Sequence, residues 1–260
     1  MTLTDAANAA EMAREAGQVL LDLRRAFDED AALADDRPGR ELGHRGDAAA
    51  QARLAQLLAE RFPADAVLSE EASDSEARQR AERVWIIDPL DGTREYSEGR
   101  DDWAVHVALW AGGELVAGAV AIPGEDLVLD SDSVPHVGER GDGPLRLAVS
   151  RSRPPWITEP VRAGLDAELV PMGSAGVKIA AVARGQVDAY VHAGGQFQWD
   201  SAAPVAVARA AGLHASRIDG SPLVYNAFDP YLPDLVVCRR ELAPRTLDLI
   251  AQARTSEGVS

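Results

Sequence analysis

The chain has 260 residues, of which 42 are acidic and 26 basic, giving a formal net charge of −16. That balance excludes nucleic acid polymers and anionic membrane surfaces as partners, since both require clustered Lys and Arg. Hydrophobic content is 46%, as in ordinary globular proteins, and no apolar run reaches the roughly 18 residues of a membrane helix.

Residues 1–10 lack a basic start followed by an apolar stretch, so no signal peptide is expected and the default location is the cytoplasm. The lone cysteine, Cys238, fits a reducing compartment and reads as a small core residue of a buried strand. Ala9, Met12, Ala13, Ala16, Val19, Leu20 and Leu23 recur at three- and four-residue spacing and predict a first helix. Residues 28–46, with Pro38, read as an irregular segment or short hairpin. A second helix is expected over 48–61, with Asp47 as its N-cap. Short apolar runs at 67–68 and 84–87, an alternating stretch at 103–110, the turn Gly112-Gly113, and runs at 115–122 and 127–129 predict several antiparallel strands.

The second half alternates between element types. Strands are expected at 145–149, 169–170, 188–192, 213–216 and 235–238. Helices are expected at 155–165, 175–184, 200–211 and 244–253. This alternation predicts a layered α/β region, and Gly141-Asp-Gly-Pro144 marks a boundary. The expected division is 1–143, an α+β half with most of the candidate ligands, and 144–260, an α/β half with Asp200 and the residues that set specificity.

The chemistry centres on Val84-Trp-Ile-Ile-Asp-Pro-Leu-Asp-Gly-Thr93. A buried strand delivers Asp88 at its end, and Pro89, having no N–H, is expected to stop the ladder. Asp91 and Gly92 then turn back, so that two carboxylates and the amides near Thr93 face one point. Hard oxygen ligands of this kind suit magnesium, which binds through carboxylates plus substrate phosphate. The same string is also good turn chemistry. Ser69-Glu70-Glu71 after a strand, and Trp199-Asp200 at a helix start, supply further carboxylates. Taken alone, the glutamate pair reads more often as a solvated surface, and Asp200 is better read as an N-cap. An acidic chain that binds a phosphorylated substrate needs cations to invert its local field.

Glu70-Glu71, Trp85-Ile-Ile-Asp-Pro-Leu-Asp-Gly-Thr93 and Trp199-Asp200, in this order and spacing, resemble the inositol monophosphatase superfamily of lithium-sensitive, magnesium-dependent phosphatases. The resemblance implies an αβαβα sandwich and hydrolysis of a small phosphorylated metabolite with two or three magnesium ions per site. It implies that Glu70, Asp88 and the carbonyl of Leu90 hold a first ion. Asp88, Asp91 and Asp200 would hold a second, and a weaker third would sit near Glu70. It assigns Gly92 and Thr93 to phosphate binding and the pair Asp47 and Thr93 to the attacking water. Family members are often dimers. Four carboxylates so close would repel one another, so a partly protonated apo site is expected.

For the substrate, the stretch Tyr190-Val-His-Ala-Gly-Gly-Gln-Phe-Gln-Trp-Asp200 carries no acid where inositol-specific members have a glutamate. It resembles instead the CysQ-type branch, which removes the 3′-phosphate of adenosine 3′,5′-bisphosphate. That resemblance implies His192 as a basic substrate contact, Gly173 and Ser174 at the ribose or second phosphate, and Tyr225, in Gly220-Ser-Pro-Leu-Val-Tyr-Asn226, stacked on a base. Ser174 as an ordinary N-cap and Tyr225 as simple packing are the plainer readings. Arg217 and Arg239 are candidate phosphate contacts. An inositol-1-phosphatase, a fructose-1,6-bisphosphatase and a non-catalytic binding protein remain as alternatives.

Overall fold

The computed structural model describes residues 3–31, 39–72 and 76–257. Helices α1 (Asp5–Ala31) and α2 (Gly39–Arg61) come first. Strands β1 (Ala66–Ser69) and β2 (Arg83–Asp91) follow, with the short helix α3 (Thr93–Ser97) immediately after β2. Strands β3 (Ala104–Ala111), β4 (Glu114–Ile122) and β5 (Leu127–Asp130) complete a first sheet of order β1-β2-β3-β4-β5. Its β1 and β2 are parallel and the other pairs antiparallel.

The rest of the chain runs β6 (Leu145–Ser150), α4 (Thr158–Leu165), β7 (Ala167–Met172), α5 (Ala175–Ala183), β8 (Ala189–Ala193), α6 (Gln198–Ala210), β9 (His214–Ser216), β10 (Asp234–Cys238) and α7 (Ala243–Glu257). The second sheet has the order β7-β6-β8-β10-β9. No helix among the described residues is long and apolar enough to cross a membrane.

The two-residue period of β2 explains the layering. Trp85 and Ile87 join Met12, Ala16 and Leu20 of α1 and Leu54 of α2 in one core, whereas Val84 and Ile86 face the opposite way. On that second face they meet α5, α6 and one side of the second sheet, through Ile179, Ala203, Tyr190 and Val237. The other side of the second sheet, through Leu147, Val191 and Val236, buries Val161 of α4 and Ile250 of α7. The layers are therefore α1/α2, sheet, α5/α6, sheet, α4/α7, the expected αβαβα sandwich. Both sheets close on the same middle helices, and every residue of α5 is buried.

Three local expectations need correction. Segment 28–46 is not a hairpin: residues 28–31 end α1 and 39–46 begin α2, while 32–38 lie outside the described residues. Asp47 is consequently an interior residue of α2 and caps nothing. The polar residues there concealed the helix because its apolar stripe is thin. Strand β2 does not stop at Pro89. Asp88 pairs with His106 and Asp91 with Ala104 across a register shift, so the strand bulges and continues. A bulge leaves the missing N–H of proline without a ladder partner to lose.

Candidate active site

The bulge of β2 is the centre of the site. Asp88 is 1% exposed, and its Oδ1 accepts from Leu90 N at 3.0 Å, which folds the backbone back across Pro89. Gly92, at φ 94°, takes the left-handed conformation that lets α3 start at once. Thr93 Oγ1 donates to the carbonyl of Leu90 at 3.2 Å and lies 3.5 Å from Asp47 Oδ1. Asp47 reaches this point because glycines let α2 lie against α3: a Cβ on Gly43 would stand 2.7 Å from Thr93 Cγ2.

The other carboxylates arrive from separate elements. Glu70 follows β1. It is exposed as a residue, yet its carboxyl end is in hydrogen-bonding reach of Asp88 and feels the charges of Asp47 and Asp91. Asp200 stands in the first turn of α6, two residues inside its start, and its Oδ2 accepts from Phe197 N at 2.7 Å. It thus caps the helix by reaching back rather than by opening it. One oxygen each from Asp88, Asp91 and Asp200 lie within 4.8 Å of one another, an arrangement able to hold a metal ion. Glu70 falls outside that tight trio and borders it.

Asp91 is fixed by the second half of the chain. Its Oδ2 accepts from Ser174 Oγ at 2.5 Å and from Gly176 N at 2.6 Å. Ser174 also caps α5, accepting from Val177 N at 3.0 Å. The N-cap reading of Ser174 therefore holds, and the cap residue doubles as a support for Asp91.

Crowding shows in the protonation equilibria. Burial, then the negative neighbours, push Asp47, Glu70 and Asp200 up to about 7 and hold Asp88 well above its usual range. Carboxyl groups crowded into a partly buried pocket, whose ionised forms a bound cation would stabilise, suit a divalent cation, and the all-oxygen donor set suits a hard one. The residues present fit the metal that the sequence implied.

A cavity of about 570 Å³ opens beside the trio, lined by Asp91, Gly92, Gly173, Ser174, His192 and Asp200, and by the cations Arg94, Arg153 and Lys178. His192 Nε2 lies 2.7 Å from the carbonyl of Gly194, and burial lowers its pKa, so it faces the cavity as a neutral imidazole rather than a cation. Tyr225 does not line the cavity. It is 5% exposed, packed in the central core, with its hydroxyl 3.1 Å from Ser201 Oγ, so it cannot stack on a base. Arg217 and Arg239 are likewise engaged elsewhere, paired with Asp234 at 2.6 Å and Asp188 at 2.8 Å.

Two further residues belong to the site. His106 of β3 is fully buried with Nε2 3.3 Å from Asp91 Oδ2. Lys178 of α5 is 4% exposed, its Nζ donates to the carbonyls of Gly173 and Ser174 at 2.7 and 2.6 Å, and burial lowers it to about 8. Each had a signal. His106 interrupts an apolar strand, and Lys178 is the single lysine beside 25 arginines.

Asp88 and Asp91 on the bulged strand and Asp200 on α6 of the shared middle layer form a carboxylate cluster able to hold a metal ion. The chain belongs to the inositol monophosphatase family, whose profile matches residues 3–256. Among its relatives, the 3′-phosphoadenosine 5′-phosphate phosphatase of Mycobacterium leprae is 51% identical over 96% of this chain and 94% of its own. The protein so named in Mycobacterium tuberculosis is 51% identical over 92% of this chain and 90% of its own. Of solved structures, CysQ from Bacteroides thetaiotaomicron superposes with a TM-score of 0.76 at 26% identity, covering 91% of this chain and 97% of that one. Inositol monophosphatase II from Staphylococcus aureus gives 0.76 at 21% identity, covering 96% of this chain and 95% of that one, which shows the shared fold.

Proposed function

We propose that the chain is a magnesium-dependent phosphatase that removes the 3′-phosphate of adenosine 3′,5′-bisphosphate, giving AMP and phosphate. The observation that carries the class is the convergence of Asp88, Asp91 and Asp200 at the mouth of a cavity bearing three cations. The substrate is supported by the 51% identity to the mycobacterial 3′-phosphoadenosine 5′-phosphate phosphatases. Arg94, Arg153 and Lys178, which line the same cavity, support it further, since a second phosphate would be attracted to them.

In this reading Glu70, Asp88 and the Leu90 carbonyl hold one magnesium ion and Asp88, Asp91 and Asp200 another. Bound magnesium would supply charge neutralisation on the phosphoryl oxygens and an acidified water. The chain's own residues do the rest. The amides at Gly92 and Thr93 orient the phosphoryl group. Thr93 Oγ1, between the Leu90 carbonyl and Asp47, holds the attacking water in line. Asp47, 3.5 Å from Thr93 Oγ1, is placed to take the water's proton. The water oxygen bonds to phosphorus as the bond to O3′ breaks, and O3′ takes a proton from a solvent water to leave as a hydroxyl.

The test is phosphate release with magnesium from adenosine 3′,5′-bisphosphate, inositol-1-phosphate and fructose-1,6-bisphosphate, compared as kcat/KM. A preference of about tenfold or more for the nucleotide is expected, roughly 1.4 kcal/mol in transition-state binding. A preference for either sugar phosphate would overturn the substrate and leave the class. No release from any of the three would overturn the class.

A further inference from the structure

Eight residues beyond Glu70, Arg78 lies in the short 3-10 turn Glu76–Arg80 and is 1% exposed. Its Nη1 donates to Asn226 Oδ1 at 2.7 Å, and its Nη2 donates to the carbonyls of Ala227 and Phe228, both at 3.0 Å. Beside it, Gln79 Nε2 donates to the carbonyl of Asn226 at 3.1 Å. The accepting loop is held from its other side by Gln198, also 1% exposed. Asn226 N donates to Gln198 Oε1 at 2.5 Å, and Gln198 Nε2 donates to the carbonyl of Asp229 at 3.1 Å. Gln198 opens α6, two residues ahead of Asp200. The 3-10 turn packs against β1, the strand that ends just before Glu70, so a run of hydrogen bonds joins the element beside Glu70 to the helix of Asp200, from one half of the chain to the other.

The chemistry of the link is specific to arginine. A guanidinium is buried at acceptable cost only when its donors meet acceptors, and its planar fork serves three at fixed angles where an ammonium cannot. The loop has little apolar anchoring of its own between Tyr225 and Leu232, where Phe228 is 71% and Tyr231 47% exposed. Its start, at residues 226–229, is gripped by the side chains of Arg78, Gln79 and Gln198, while backbone bonds to Gln196 and Gln198 hold its far end.

We propose that Arg78 is a positioning residue for metal binding: it fixes the Glu70 segment relative to α6, so that Glu70 and Asp200 meet the bound ions together. The proposal rests on the reading of Glu70 and Asp200 as metal ligands. Loosening the link leaves every ligand in the chain, so it weakens metal binding while the chemistry at saturating metal persists.

The test uses two variants of the full chain, Arg78→Lys and Asn226→Gly. The second keeps the left-handed backbone of residue 226, at φ 57°, without strain and removes the side chain that carries the Oδ1 acceptor. Magnesium binding is measured by calorimetry. The magnesium dependence of phosphate release is measured separately, with circular dichroism and Tm as checks on folding. For whichever variant folds, the expected result is a magnesium half-saturation and calorimetric Kd raised about tenfold or more, with kcat at saturating magnesium within about threefold of wild type. That range of loss is typical of residues supporting metal ligands. Folded variants with an unchanged magnesium Kd overturn the proposal. A kcat loss that saturating magnesium does not relieve also overturns it. A wild-type chain that binds no magnesium would overturn the metal reading itself, and the role of Arg78 with it.

Discussion

The Nε2 atom of His106 faces Asp91 Oδ2 at 3.3 Å, while its Nδ1 lies 3.3 Å from the carbonyl of Trp199. A carbonyl only accepts, so Nδ1 carries the proton and the neutral ring presents a bare Nε2 to the carboxylate. Among the described residues Nε2 has no hydrogen-bond partner, and burial lowers the pKa of the ring. His106 therefore packs against Asp91 without donating to it, and Ser174 and Gly176 hold its Oδ2.

Replacing His106 by Leu should disturb that packing. Magnesium affinity is expected to fall about 10- to 100-fold, as when other residues supporting a ligand are lost. Calorimetry with magnesium checks this, and an unchanged Kd would show that Ser174 and Gly176 suffice.

Gly176→Ala should disturb the same point more severely. A Cβ there would stand 1.9 Å from His106 Nε2, between the helix and the strand. Overpacking of this kind costs about 1–3 kcal/mol. Thermal unfolding should show Tm lower by roughly 2–4 °C for each kcal/mol. An unshifted Tm would mean that the imidazole swings aside freely.

The raised carboxyls make the metal-free protein respond to pH in a defined sense. Asp47, Glu70 and Asp200 move from values near 4 in the unfolded chain to about 7 in the folded one. The folded state then holds protons that the unfolded state releases. Their contribution to stability is complete below about pH 4 and is lost as pH rises through about 7. Magnesium binds the ionised forms, so it should restore stability increasingly toward high pH. Tm curves with chelator and with millimolar magnesium should diverge between about pH 5 and about pH 8. Parallel curves would refute the assignment of these groups to the ion site.

Lys178→Met should lower kcat/KM for adenosine 3′,5′-bisphosphate about 10- to 100-fold, the usual worth of a charged hydrogen bond. Tyr225→Phe supplies the contrast. It removes only the contact with Ser201, about 1 kcal/mol of stability, and should leave the ratio of kcat/KM values across the three substrates unchanged. A change in that ratio would return Tyr225 to the substrate site.

The sequence made many elements and most of the cluster readable for a physical reason. The layering came with the family resemblance, while the apolar run of β2, the alternation in β3 and the helical stripe of α1 are local signals, and the string from Asp88 to Thr93 builds its geometry within six residues. What stayed hidden depends on distant partners. Asp47 looked like a cap because nothing local reveals that α2 begins at Gly39. The support of Asp91 by Ser174 spans 83 positions and the grip of Arg78 on Asn226 spans 148, so only the fold brings them together. Tyr225 was misjudged because a loop aromatic can turn either way, and the core claimed it.

The exposed ribbon at residues 138–144 is a consequence-bearing joint. It separates the two sheets in sequence, yet both sheets close on the same pair of helices, so severing it removes none of the core contacts. A protease cut there should give a nicked protein whose fragments stay associated. Glu70, Asp88 and Asp91 would then lie on one fragment and Asp200 on the other, making metal-dependent turnover a direct signal of reassembly after the fragments are denatured and mixed.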